Sequence, residues 1–244
     1  MEKNPVLVSI PHSSLFVPEK VRDNLILNEY DLRNWSDLYT DRIFDVSNAY
    51  VIIGGVNRLV LNLNRAPTGL EDQFSHGVAT MIAPDGKRIF KTMMPLHLVR
   101  HLIEKYHNPF HEEIEETIKA QNISFFIDGH SMASSRPQNM YGNAEPRADI
   151  CIGNRDFTTC TPEQTSYIEE FFASKGYSVA INNPYSGKYN VSYHCHQDTV
   201  PGIQLELNRA LFLNEKNLEA YEEKIQKLNQ EIEELVEAIT RELI

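Results

Sequence analysis

The stretch SFFIDGHSMASS, Ser124 to Ser135, carries Phe125, Phe126 and Ile127 straight into an acid, a glycine, a histidine and a run of small residues. Its first half reads as a buried strand, because consecutive apolar residues suit a sheet covered on both faces. Its second half sets Asp128 and His130 two residues apart at the strand's carboxyl end, and therefore on one face. In an open parallel sheet the ligand crevice lies beyond the carboxyl ends of the strands, so this stretch sets both a fold class and a place to look for chemistry.

Working outward, Val6–Ile10, Tyr50–Val56, Arg58–Arg65, Asp149–Asn154, Ser178–Asn182 and Gly202–Arg209 read as further strands. Between them Glu29–Asn48, Pro95–Gln121 and Pro162–Lys175 read as helices, the last with Thr161 before Pro162 and Gly176 beyond its end. The alternation predicts an α/β fold of one domain over residues 1–244, with a mostly parallel, mixed central sheet and helices on both faces. A final helix is expected over about 215–243, where Leu218, Tyr221, Ile225, Leu228, Ile232, Leu235 and Ile239 keep a heptad spacing. That seam either caps the domain or joins two copies in a homo-oligomer.

The formal charge is −11, and Asn214–Ile244 alone holds nine Glu against four Lys or Arg. No basic stripe appears and the pI is near 5.3, which argues against a nucleic-acid partner. Cys151, Cys160 and Cys195 are odd in number and lack a CxxC spacing, as expected of reduced thiols in a cytoplasmic protein. No apolar run is long enough for a signal peptide or a membrane span.

Polar residues that follow directly on apolar runs mark the crevice. The run VSIPHSS delivers His12, NLNR delivers Asn64 and Arg65, IDGHS delivers His130, and QLELNR delivers Glu206 and Arg209. Catalytic zinc takes three protein ligands of histidine and carboxylate type and leaves a position for water, so the two histidines call for a carboxylate. Asp37 and Asp41, four residues apart and on one face of the expected first helix, are the candidates, either of them coordinating while the other holds a ligand or pairs with a base, and Glu19 is a second place to look. Glu206, flanked by Leu205 and Leu207, is costly to bury without a compensating charge and is placed to act as a general base. The forked guanidinium groups of Arg65 and Arg209 suit an anionic substrate, with Arg58 and Arg136 as weaker candidates. His97 and His101 stand i, i+4 in HLVRH, but Leu98 occupies the place of the glutamate in a metalloprotease motif. His194 and His196 either line the pocket or decorate a polar loop.

VSIPHSS, SDLYTDRIF, LNLNR, YHNPFH, IDGHSM, DICIGN, NNPYSGKYN and GIQLELNRALFLNE occur in one order across roughly residues 6 to 215. Together they resemble the N-formylglutamate amidohydrolases, a family distantly similar in fold to the zinc carboxypeptidases. The resemblance implies a Zn²⁺ hydrolase, open to other divalent ions, that cleaves N-formyl-L-glutamate to formate and L-glutamate, the closing step of a histidine degradation route. Carried onto this chain, it makes His12, Asp37 and His130 the metal ligands and Glu206 the catalytic base. Arg65 and Arg209 join the substrate-binding set; Asn64, Ser131 and Tyr189 border the same pocket. The family commonly has Gly at Ser14, Asp at Asn62 and Gly at Lys188. These differences keep open a related N-acyl amino acid as substrate, and a non-catalytic binder of an acidic metabolite is the alternative outside enzymology. Asp128 is expected to orient a ligand or a neighbouring base.

Overall fold

The computed structural model describes residues 3–68, 77–135 and 146–244. Arg136 lies outside them. Six strands form the central sheet: β1 (Val6–Ile10), β2 (Tyr50–Ile53), β3 (Phe125–Met132), β4 (Ile150–Gly153), β5 (Val179–Ile181) and β6 (Gly202–Asn208), in the order β2-β1-β3-β6-β4-β5. The first four in that order run parallel, β4 lies antiparallel to β6, and β5 follows β4. The mixed, mostly parallel sheet expected from the alternation is therefore the one observed.

Strand alternation sorts the side chains onto two faces. Val6, Val8, Ile10, Phe125, Ile127, Ile203, Leu205 and Leu207 join a buried core that includes Ile168 and Phe172 of helix α6 (Pro162–Ser174). The opposite face begins apolar, with Leu7 and Phe126 packed among Leu61, Leu63, Phe110 and Ile114. Toward the carboxyl ends it turns polar, presenting Ser9, Asp128, His130, Gln204 and Glu206, all buried. Hydrophobic burial, roughly 25 cal/mol per Å² of apolar surface, holds the sheet while this polar row is confined to one end of one face.

Helix α8 (Glu222–Glu242) sets Ile225, Leu228, Ile232, Leu235 and Ile239 into the first core. The heptad seam is occupied within the chain, as the domain-capping alternative expects. The helix also starts later than expected, because Leu218 takes a left-handed φ of 61° and a two-stranded turn, β7 (Leu213–Asn214) with β8 (Glu219–Ala220), precedes it. No helix among the described residues is long and apolar enough to cross a membrane.

Three further expectations are corrected. Glu29–Asn48 is not one helix: α2 (Glu29–Trp35) stops at Ser36, and only a short α3 (Thr40–Ile43) follows. Ser36 is extended and Tyr39 left-handed, so Asp37 and Asp41 do not share a helix face; Asp41 is exposed. Arg58–Arg65 is not a strand. Its alternating pattern imitates one, but Asn57 accepts the Leu59 N–H and Asn62 accepts the Asn64 N–H, folding the segment into side-chain-capped turns. Pro95–Gln121 is helical throughout yet uneven: α4 (Leu96–Leu102) widens into a π turn at Ile103–His107 before α5 (Asn108–Ala120). Pro109 accounts for that widening, since it has no N–H and its ring would clash with the carbonyl one turn back.

Candidate metal centre

His12 follows β1, His130 sits near the end of β3, and Asp37 occupies the break between α2 and α3. The backbone N–H of Asp37 donates to His12 O at 3.0 Å, which brings the break to the end of β1. One potential ligand atom from each of His12, Asp37 and His130 lies within 4.8 Å of the others, and all three residues are buried. Asp37 Oδ2 is 3.0 Å from Nδ1 of His130 and 3.5 Å from Nδ1 of His12. Glu19, the other carboxylate considered, is exposed on α1 (Glu19–Arg22).

The remaining atoms of each ligand are held from behind. His130 Nε2 donates to Asp128 Oδ2 at 2.8 Å, and His12 Nε2 donates to Asn62 Oδ1 at 2.8 Å. Both bonds place a proton on Nε2 and turn Nδ1 of each ring toward Asp37. Asp37 Oδ1 meets Arg58 at 3.1 Å and Arg209 at 3.4 Å. Asp128 is itself fixed by Ser9 at 2.5 Å, Asn64 at 3.1 Å and Asn190 at 2.9 Å.

Electrostatics fit a cation at the centre. Burial, followed by Arg58, lowers His12 to about 4, so its imidazole is neutral. Burial opposes charge on His130 as well, but the adjoining Asp128 and the bond to Asp37 override it and raise that group well above its usual value. For Asp37, burial is outweighed by Arg58 and the two histidines, and its carboxyl is held well below the usual range. Nδ1 of His12 is a buried nitrogen without a hydrogen-bond partner, the condition of an imidazole that reserves its lone pair for a metal. Two neutral-capable histidines and one ionised carboxylate make a donor set suited to a divalent ion.

Glu206 pairs with His130 across β3 and β6 and faces the same side. Burial raises its carboxyl to about 7, with the negative charge of Asp37 adding to the effect and His130 opposing it. Gln204 donates to its Oε1 at 2.8 Å and is held in turn by the Lys188 N–H at 2.9 Å.

The other expected site residues fall in different places. Asn64 is central, linking Asp128 to the Asn190 N–H through both ends of its amide. Arg65 is half-buried at the same rim, and burial first and then Arg58 lowers its pKa. Arg209 differs from its expected part: its guanidinium donates to Asn34 O at 2.6 Å, Ser36 O at 2.7 Å and Ser131 Oγ at 3.2 Å, so it anchors the break that carries Asp37. Ser131 is inside β3 and faces away from His130, accepting from Arg209 Nε. Tyr189, at the start of α7 (Tyr189–His194), packs on His111 with centroids 5.1 Å apart. His194 bonds His111 at 2.8 Å, while His196 is exposed beside Asp198. His97 is exposed and His101 meets Lys20 at 3.2 Å.

Asn62 and Asn190 were not among the expected site residues, and Arg58 ranked low. The signal available for the first was the density of asparagine in VNRLVLNLNR, which favours side-chain-capped turns over a ladder.

Known proteins share the chain's sequence pattern and its fold. The curated N-formylglutamate deformylase of Pseudomonas putida is 22% identical over 96% of this chain and 92% of its own length. A crystal structure of N-formylglutamate amidohydrolase from Ralstonia eutropha JMP134 superposes with a TM-score of 0.84, covering 99% of this chain and 94% of that one at 22% identity. A gene product of Agrobacterium tumefaciens shares the fold at a TM-score of 0.69 and 18% identity, covering 98% of this chain and 92% of its own. The N-formylglutamate amidohydrolase family model matches residues 4–213, and the chain belongs to that family.

Proposed function

We propose that the chain is a zinc hydrolase that cleaves the amide of N-formyl-L-glutamate, releasing formate and L-glutamate. The observation that carries the reading is the buried convergence of His12 Nδ1, His130 Nδ1 and Asp37 Oδ2 beside a carboxyl, Glu206, held near neutrality by burial. His12, Asp37 and His130 would hold the ion. When bound, zinc supplies Lewis acidity that polarises a carbonyl and brings the pKa of water to about 7.

The chain's own residues do the rest. Glu206, titrating at about 7, takes a proton from the attacking water and returns it to the departing amine nitrogen. Gln204 fixes the carboxyl through Oε1, leaving Oε2 for that exchange. Arg65 offers a forked, half-buried guanidinium to a substrate carboxylate, and the neighbouring Asn64 keeps the rim in place.

The test is release of the free amino acid by the zinc-loaded protein from formyl, formimino, acetyl and succinyl derivatives of Glu, Asp and Gln. Turnover confined to the formyl compounds, greatest for glutamate, supports the reading; activity only on another acyl group transfers the assignment to that substrate. Glu206→Gln should retain zinc while kcat drops about 10²- to 10⁴-fold. Undiminished turnover in that variant removes Glu206 from the proton-transfer role.

A further inference from the structure

The segment from Asn57 to Arg65 carries three groups of the site, Asn62 behind His12, Asn64 behind Asp128, and Arg65 at the rim, yet it is not part of the sheet. A strand's carbonyls are fixed by its neighbours; here two of them are fixed by imidazoles. His111 Nε2 donates to Leu63 O at 3.0 Å and His107 Nε2 donates to Arg65 O at 2.9 Å. The two histidines stand i, i+4 across the junction of the π turn and α5, so one helix face presents both donors.

The contact is braced on its far side. His194, at the end of α7, donates through Nε2 to His111 Nδ1 at 2.8 Å, a direction set by the Leu63 carbonyl, which can only accept. The same short helix supplies the Asn190 N–H to Asn64 Oδ1 at 2.8 Å. The rings of His107 and His111 lie 4.3 Å apart and Tyr189 closes on them, so neither imidazole is free to swing. Both histidines are buried, and burial first lowers each pKa, His111 to about 3, which keeps each a neutral single donor.

We propose that His107 and His111 are positioning residues for the centre, with His111 setting Asn62 and Asn64 against the two ligand histidines and His107 setting Arg65 against the substrate. The assignment of metal and substrate rests on the reading above; the clamp itself rests on the four hydrogen bonds. Neither imidazole bonds to His12, Asp37 or His130 among the interactions described, so any effect must pass through the loop.

The test compares His107→Leu, His107→Gln, His111→Leu and His111→Gln, because glutamine carries an N–H donor about as far as imidazole Nε2 and leucine carries none. Zn²⁺ affinity by chelator competition should fall about 10- to 100-fold in His111→Leu and largely return in His111→Gln. For His107 the split should differ, with KM for N-formyl-L-glutamate up about 10-fold in the leucine variant, kcat within about two-fold and recovery with glutamine, as expected when a binding contact is lost. Amide hydrogen exchange across residues 61–66 reads the loop directly and should quicken only in the leucine variants. Unchanged protection there, or equal losses in the Leu and Gln variants, overturns the inference. A wild-type chain that binds no zinc defeats the metal reading instead, and the exchange data still decide the clamp. If leucine leaves too little folded chain, asparagine, whose amide falls short of the carbonyl, takes its place with the same expected outcomes.

Discussion

Asn62 decides which nitrogen of His12 is available to a metal. Its side-chain carbonyl accepts from Nε2 at 2.8 Å and also receives the Asn64 N–H at 2.9 Å, so one oxygen fixes a tautomer and a turn together. Asn62→Leu should therefore lower Zn²⁺ affinity about 10- to 100-fold, measured by chelator competition. Asn62→Asp should raise it, since a carboxylate behind an imidazole makes the opposite nitrogen a better donor, as Asp128 already does for His130. A separate outcome concerns Glu206: with its carboxyl at about 7, kcat on N-formyl-L-glutamate should rise as pH climbs through that region and the base loses its proton. His12 and His130 could be read from the sequence as candidate ligands because each stands beside an apolar run that ends at the crevice; Asp37 followed from the family resemblance. Asn62 could not, because an asparagine between leucines looks like the outward side of a strand.

At the level of elements, the break between α2 and α3 is what brings Asp37 beside the two histidines. Helical spacing put Asp37 and Asp41 on one face, yet the place of Asp37 beside the histidines comes from the helix ending two residues before it. Arg209 makes that ending stable by donating to the carbonyls of Asn34 and Ser36, groups that a helix C-terminus leaves without partners. Sequence offered only an NR pair at a strand end, the usual appearance of a substrate arginine, and the contact spans the length of the chain. Arg209→Ala should destabilise by about 3–5 kcal/mol in urea unfolding, since Asp37 and the carbonyls lose a buried partner. Arg209→Lys should recover little, because one ammonium cannot fork across two carbonyls. Gly129 is a further case: a Cβ there would stand 2.7 Å from the Phe44 ring on the sheet's apolar face. Gly129→Ala should cost about 1–3 kcal/mol through overpacking, visible as a lower urea midpoint with little change in slope.

Across the whole molecule, the sheet class and its helix coverage were legible because apolar runs and amphipathic segments alternate over most of the chain, and α8 announced its buried seam by spacing. The direction of β4 and β5 was not legible, since a buried four-residue strand reads the same either way. The histidines add a global property. Burial first, with neighbouring histidines adding to it, holds His111 at about 3 and His194 at about 4, against 6.5 when free. Below about 6.5 the unfolded chain takes up protons that the folded chain does not, so this stability is complete above that pH and is lost progressively as pH falls toward the folded values. Thermal or urea unfolding should weaken between pH 6.5 and 4 with a slope of about 1.4 kcal/mol per unit for each histidine. The double variant His111→Gln, His194→Gln should flatten that limb relative to the parent.

The reversal of β4 also bears on how such a protein can diversify. Because β4 runs against β6, Ile150 lies beside Leu207 at the carboxyl edge, and the residues just before it, Arg147 to Asp149, contact Asn208 on the rim of the crevice. The chain thus reaches the rim on its way into a strand as well as on its way out of one. Residues can be added or removed in the approach to β4 without re-threading any parallel crossover, which gives the lineage a place to alter what enters the crevice while the ligand-bearing strands stay in register.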